Sequence, residues 1–371
     1  MTGSPTPATQ NARPTIGIVG AGVMGSGIAQ VALEAGSEVV IYDVDPAAIE
    51  RARESIRTGL DRRAAQLELG PESTNEWAPQ RLAGLREAHA LTDIADEAEV
   101  IVEAALEDLG LKHEIFRALD AGAAEDTILA SNTSALSIEA IASATAHPSR
   151  VLGLHFFNPV PRMALVEVVP GPVTSPDVVT RAEEVVRTLG KTPIRSADTP
   201  GFIVNRVNRP FTIEALRLLE AGEASVEAID KAMRDADFPM GPFELMDLTG
   251  IDVTLAAARG VWEGLGRPDR LRPSEIQEGL VAQGRLGRKS GRGFYDYHDG
   301  RRGPVAADFK LAPGESSMPA ADIEADILAA IADEARRAVA DGVASEADID
   351  LALRLGAGHP AGPFERRAAD G

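Results

Sequence analysis

Two side chains, His155 and Glu167, stand out for the chemistry they could do together. His155 sits where the apolar run VLGLHFF (residues 151–157) breaks into the turn NPVP (158–161). An imidazole can take a proton from an alcohol and return it near neutral pH. It does so best when a carboxylate fixes its tautomer and stabilises the imidazolium. If the segments around Pro161 fold as an antiparallel pair, His155 and Glu167 each lie six residues from that centre and face one another. Within ALVEVV (164–169), Leu165, Glu167 and Val169 share one face, where a glutamate is costly unless partnered. A histidine would be that partner. His89, His113, His147, His298 and His359 lack this setting and read as structural histidines.

A second constellation is rich in glycine. Gly20-Ala21-Gly22-Val23-Met24-Gly25 follows the strand-like TIGIVG and opens the helical pattern SGIAQVALEAG. In that setting Gly20 permits a tight turn, Gly22 lets backbone approach a pyrophosphate, and Gly25 lets helix and strand pack closely. The helix N-terminus, with Val23 and Met24 in its loop, supplies N–H donors. Asp43 ends the next strand at the distance expected for a carboxylate on the adenosine ribose. It would repel the extra phosphate of NADP, and Val44 is no arginine to receive it, so NAD is expected. A turn that binds nothing, or FAD on the same fold, remains open. Ser131-Asn132-Thr133-Ser134 ends another strand, where its hydroxyls either hold a substrate oxygen or the nicotinamide amide, or cap the helix that follows.

These residues need a sheet to position them. Strand-like runs at 15–20, 38–43, 99–105, 127–131, 150–156, 164–169 and 192–196 alternate with helical patterns at 26–35, 46–69, 111–121 and 176–189. That alternation is the signature of an α/β, Rossmann-type sheet. Asp45 and Pro46 read as the cap and first position of the second helix. Residues 70–90 read as a surface excursion with a short helix. After Asp198-Thr199-Pro200 the strand signals stop. The expected organisation is a disordered lead-in (1–13), an NAD-binding domain (14–197), an all-α substrate and dimerisation domain (198–297), and a linker with a partial second helical module (298–371). The module is inferred from an echo. SVEAIDKAM and PMGPFE recur as SEADIDLAL and PAGPFE, offset by 120 residues and then 121, with the second copy cut short at Gly371.

Composition narrows the partners. With no cysteine, the chain has neither a disulfide framework nor a thiolate site, and no metal site is expected. A net charge of −20 argues against a nucleic-acid partner. No apolar run approaches the length of a membrane span, and a cytoplasmic protein is expected.

Together the segments IGIVGAGVMGSGIAQVALEAG, VEAALEDLGLKHEIF, ASNTSALSI, GLHFFNPVPRMALVEVV, DTPGFIVNRV, FPMGPFELMDLTG and GRLGRKSGRGFYDY resemble the short-chain L-3-hydroxyacyl-CoA dehydrogenase family, in its bacterial 3-hydroxybutyryl-CoA dehydrogenase form. The match runs from Ile16 to Tyr297. The resemblance implies a reversible hydride transfer between NAD and C3 of an acyl-CoA thioester. It puts the catalytic positions on His155, Glu167, Ser134 and Asn205, and cofactor contacts on Gly20, Gly22, Gly25, Asp43, Glu107, Lys112, Ser134 and Asn158. It also implies a homodimer and closure of the helical domain over the cofactor. Thr199 and Pro200 then read as cap and first position of a helix bearing Asn205. The family's CoA-phosphate helix corresponds loosely to SIRTGLDRRAAQ, with Ser55, Arg62 and Arg63 as candidates. The first helical repeat lacks the family's glycine-rich approach GAG, which the second keeps. The basic loop with Arg285, Arg288, Lys289 and Arg292 reads as a structural turn or subunit contact. Competing readings are a dehydrogenase of a free hydroxy acid or sugar acid, and a non-catalytic NAD-binding relative.

Overall fold

The computed structural model describes residues 13–67, 71–309 and 318–369. Apart from Arg13 the expected lead-in lies outside the described residues, as do the end of the second expected helix and residues 310–317 of the expected linker. The chain divides into two units, Met1–Pro193 and Ile194–Gly371.

The first unit runs β1 (Ile16–Val19), α1 (Val23–Ala35), β2 (Val39–Tyr42), α2 (Pro46–Gln66), α3 (Pro71–Leu82), β3 (Leu85–Glu87), α4 (Leu91–Glu97), β4 (Val100–Glu103), α5 (Leu109–Gly122), β5 (Ile128–Ser131), α6 (Ile138–Ala142), β6 (Val151–Phe156), β7 (Leu165–Pro170) and α7 (Pro176–Thr188). β8 (Thr192–Arg195) carries the chain across the boundary. The strands form one sheet in the order β3-β2-β1-β4-β5-β6-β7-β8. β1, β4 and β5 are buried along their whole length, as strands covered on both faces must be. Asp45 accepts a hydrogen bond from Ala47 N at 3.0 Å with Pro46 at the first helical position, so α2 starts where its cap dictates. β6 and β7 pair antiparallel, with His155 opposite Glu167. Two elements depart from expectation: the stretch read as a surface excursion also contributes β3, and α4 follows it. β3 buries only Leu85, beside exposed Arg86 and Glu87, so an edge strand of three residues has no alternation to read.

The second unit holds α8 (Val204–Val207), α9 (Arg209–Glu220), α10 (Val226–Asp235), α11 (Pro242–Thr249), α12 (Ile251–Gly264), α13 (Glu275–Ala282), the hairpin β9 (Tyr295–His298) and β10 (Arg301–Val305), then α14 (Ala320–Ala340), α15 (Glu346–Ala357) and α16 (Pro363–Ala369). It is helical but not wholly so. The hairpin is held by Asp247, which accepts from Phe294 N (3.0 Å) and Tyr295 N (2.9 Å), while Tyr295 OH donates to Asp230 at 2.7 Å. The basic loop before it is tied down as a structural turn: Arg285 pairs with Asp308, Lys289 with Asp252, and Arg292 with Asp296. Thr199 is not a helix cap. Gly201 (φ 80°) and Phe202 (φ 49°) adopt left-handed backbone, which a right-handed helix cannot include, and α8 begins at Val204.

Residues 298–371, expected as a linker and partial module, fall in this same unit. α14 carries an apolar stripe of Ile323, Ile327, Ile331, Ala335 and Ala338 that requires cover, and it packs along α9 and α10. The sequence echo is structural. Asp230 accepts from Phe243 N and Glu244 N at 2.9 and 3.1 Å, and Asp350 accepts from Phe364 N and Glu365 N at the same two distances. The missing glycine does not change the turn, because Asp237 takes φ 67° where the second copy has Gly358 at φ 70°.

His359 occupies the position that Phe238 holds in the first copy. Its Nε2 lies 2.8 Å from Asn208 Oδ1, and burial pushes its pKa down to about 3. The fold therefore holds it neutral, whereas the unfolded chain protonates it below about pH 6.5. Stability from this residue is present above pH 6.5 and lost as pH falls towards 3. We predict that between pH 6.5 and 4.5 the wild-type protein loses up to about 1.4 kcal/mol per pH unit more than His359→Gln. Urea unfolding at several pH values checks it; equal slopes in the two proteins contradict it.

Candidate functional site

The antiparallel step from β6 to β7 sets the geometry. His155 and Glu167 are paired across the strands, and Nδ1 lies 2.6 Å from Glu167 Oε2. Glu167 is 0 % exposed and His155 is buried. A carboxylate only accepts, so Nδ1–H donates, and this tautomer makes Nε2 the basic nitrogen. The Phe157 ring packs 4.5 Å from the imidazole. Beyond it the Asn158-Pro159 peptide is cis. Lys191 Nζ donates to Val160 O (2.7 Å) and Met163 O (2.8 Å), and Val160 lies so close to α1 that a Cβ on Gly27 would meet it at 2.9 Å. The turn after His155 is thus fixed against the glycine-loop helix. Asn132 Oδ1 accepts from Phe156 N at 2.8 Å, tying the end of β6 to the end of β5.

The glycines differ in what surrounds them. Gly20 has φ 102°, and its Cβ would stand 2.7 Å from Ala104 O; a Cβ on Gly25 would stand 1.8 Å from Gly20 O. Both are demanded by the protein's own packing. A Cβ on Gly22 would meet nothing within 4 Å. Gly22 is also the N-cap of α1, with no side-chain cap, and Val23 beside it is 73 % exposed. Asp43 anchors the loop, accepting from Ala21 N (2.7 Å) through one oxygen and from Asp45 N (2.9 Å) through the other. An uncapped helix terminus bordered by open space and a carboxylate fits the phosphates and ribose of a dinucleotide.

The carboxyl ends of β4 and β5 carry a charge network centred on Glu103, a residue that sequence reading did not single out. Glu103, fully buried, receives Lys112 Nζ at 2.7 and 2.8 Å, Ser131 Oγ at 2.7 Å and Ala105 N at 2.6 Å. Lys112 Nζ also lies 3.4 Å from Glu107. Glu107 in turn accepts from Thr133 Oγ1 (2.6 Å), Ser134 N (3.0 Å) and Ala135 N (3.2 Å). Glu107, Lys112 and the Ser134 segment are therefore one assembly, with Ser137 rather than Ser134 capping α6. An acid ending the apolar strand VIVE, nine residues before a lysine, was the available signal.

The remaining expected residues are placed more loosely. Ser134 and Asn158 are exposed, and Met24 and Asn205 half-buried, the latter on α8 of the second unit. Ser55, Arg62 and Arg63 are exposed on α2, with Arg63 Nε 3.9 Å from Glu34. His113 lies 2.8 Å from Ala140 O and His147 3.2 Å from Asp120, as structural histidines do. Among the described residues no cluster of three or more His, Asp or Glu is placed to hold a metal.

Comparison with known proteins gives a consistent result. Residues 15–199 match the 3-hydroxyacyl-CoA dehydrogenase NAD-binding domain, and residues 201–297 and 323–367 match the C-terminal domain of the same family. The chain is 36 % identical to 3-hydroxyadipyl-CoA dehydrogenase of Escherichia coli K12, over 94 % of this chain and 89 % of that protein. It is 44 % identical to the mitochondrial hydroxyacyl-coenzyme A dehydrogenase of Rattus norvegicus, over 76 % of this chain and 90 % of that one. The crystal structure of 3-hydroxybutyryl-CoA dehydrogenase from Escherichia coli K12 superposes with a TM-score of 0.86 at 35 % identity, covering 97 % of this chain and 92 % of the other.

The buried network makes its own prediction. Removing the charge from Glu103 leaves the Lys112 ammonium inside the protein with only the more distant Glu107, so Glu103→Gln is expected to cost about 3 kcal/mol of stability. Chemical denaturation measures this; a loss below about 1 kcal/mol would show that the pair is dispensable to the fold.

Proposed function

Because the chain belongs to the 3-hydroxyacyl-CoA dehydrogenase family, we propose that His155 and Glu167 form its proton-transfer pair. The protein is an NAD-dependent oxidoreductase that interconverts (S)-3-hydroxyacyl-CoA and 3-oxoacyl-CoA. When bound, NAD supplies the hydride acceptor. His155 Nε2 removes the C3 hydroxyl proton in oxidation and, as imidazolium, returns it in reduction. Glu167 holds the ring and balances its charge. Ser134 and Asn205 are assigned to hydrogen bonds with the C3 oxygen, where charge develops in the transition state.

On the cofactor side, Gly20, Gly22, Val23, Met24 and Gly25 form the pyrophosphate loop and Asp43 takes the adenosine ribose. Glu107, Ser134 and Asn158 serve the nicotinamide half. Lys112, with its ammonium committed to Glu103, acts through Glu107. Ser55, Arg62 and Arg63 are candidates for the CoA phosphates. A cytoplasmic homodimer with a place in fatty-acid oxidation is proposed on the family resemblance alone. Among the described residues no helix is long and apolar enough to cross a membrane. The names of the relatives span 3-hydroxybutyryl and 3-hydroxyadipyl thioesters, so they do not fix the acyl chain.

The observation that carries this reading is the 2.6 Å contact between His155 and Glu167. His155→Gln is expected to lower kcat for NADH oxidation by acetoacetyl-CoA by about a thousandfold while NADH still binds. Turnover within tenfold of wild type would remove His155 from the chemistry. Gly22→Ala separates cofactor binding from folding. With nothing near the added methyl, its melting temperature should hold or rise, while NADH affinity falls by about tenfold or more. Unchanged NADH affinity by fluorescence titration would place the pyrophosphate elsewhere.

A further inference from the structure

The second unit pairs its buried cations with care. Arg206 on α8, 1 % exposed, is met by Glu334 at 2.8 Å and by Asp341, and Arg270 shares Glu334 at 2.6 Å. Arg209 breaks this pattern. It opens α9, is 8 % exposed, and its Nε is buried without a hydrogen-bond partner. Burial pushes its pKa down to about 10 with no acidic group offsetting the effect, so it is still charged at neutral pH. A buried cation with no opposing charge costs several kcal/mol, so its retention calls for an explanation, and a bound anion is one.

Its position says which anion. Arg209 follows Asn205 by four residues. The chain between them stays in right-handed helical backbone, with Asn208 at φ −82° and ψ −5° and its N–H donating to Val204 O at 3.0 Å. The two side chains therefore share a helical face, about 5–6 Å apart at their Cβ atoms. Ile213, the next residue on that face, is buried with Val261 and Leu271 and closes it beyond Arg209. In a six-carbon acyl chain the terminal carbon lies three bonds of about 1.5 Å beyond C3. A carboxylate there falls within the reach of an arginine side chain rooted one helical turn along the same face.

We propose that Arg209 receives a second carboxylate at the far end of the acyl chain, so that a short dicarboxylic acyl-CoA is the preferred substrate. The inference rests on the assignment of Asn205 to the C3 oxygen. Guanidinium and carboxylate fit as a two-pronged, charge-assisted pair. An uncharged acyl end of equal length leaves Arg209 unpaired, which is how a polar site rejects an analogue that lacks the matching group. A CoA phosphate is the competing anion, but it is common to every thioester and would confer no preference among acyl chains.

The test compares 3-oxoadipyl-CoA with 3-oxohexanoyl-CoA, which differ only in the terminal carboxylate, in wild type and Arg209→Met. Wild type should favour the diacid in kcat/KM, and the diacid-to-monoacid ratio should fall on the order of 100-fold in the variant. The variant should melt no lower than wild type, since a buried unpaired charge has been removed. Should Arg209→Met fail to fold, Arg209→Gln carries the same comparison. No diacid preference in wild type, or an equal loss on both substrates, overturns the proposal. If wild type turns over neither compound, the dehydrogenase reading fails, and calorimetric Kd values for 3-hydroxyadipyl-CoA and 3-hydroxyhexanoyl-CoA still decide the role of Arg209. A diacid preference in Kd that vanishes in the variant supports it, and its absence from wild type refutes it.

Discussion

A carboxylate buried in the middle of a β-sheet is the constraint around which the first unit is arranged. Glu167 stands between Leu165 and Val169 on one face of β7, out of contact with water. Such a group is tolerable only with a donor held in place, and the donor is His155 on the neighbouring strand. A parallel crossover would not bring residues so close in sequence opposite one another. The sheet runs parallel from β1 to β6 and then reverses, and that reversal produces the pair. The turn between the strands is fixed by Lys191 from one side and by α1 from the other, so the segment after His155 and the glycine-loop helix are held by the same contacts.

The other buried charges obey the same rule and extend it. Glu103 and Lys112 satisfy each other beside the loop that carries Glu107 and Ser134, so a buried ion pair adjoins and steadies that exposed segment. Arg206 is likewise closed off by Glu334 and Asp341. Against this background Arg209 is informative, because it is buried with no acidic group opposite it, unlike Arg206.

Much of this was legible in the sequence where local signals are strong. The register of His155 and Glu167 follows from counting residues about Pro161, since a short hairpin leaves few alternatives. The start of α2 follows from Asp45 and Pro46, and the glycine loop from its place between a strand and a helix. Other features depend on tertiary context and leave no local trace. β3 is an edge strand with a single buried residue, and the β9–β10 hairpin is held by Asp247 and Asp230 from distant helices. Thr199-Pro200 has the composition of a helix start, but left-handed backbone at Gly201 and Phe202 delays the helix. Glu103 was hidden for a different reason: a single acid at the end of an apolar strand reveals its role only when Lys112 and Ser131 fold around it.

The central claim is that His155 and Glu167 act as one unit in proton transfer, and a double-mutant cycle on kcat with acetoacetyl-CoA and NADH tests it most directly. If the pair works together, Glu167→Gln costs a large factor in the wild-type background and little once His155→Gln is already present. Losses that simply multiply in the double variant would show that the two side chains act independently, and would contradict the account.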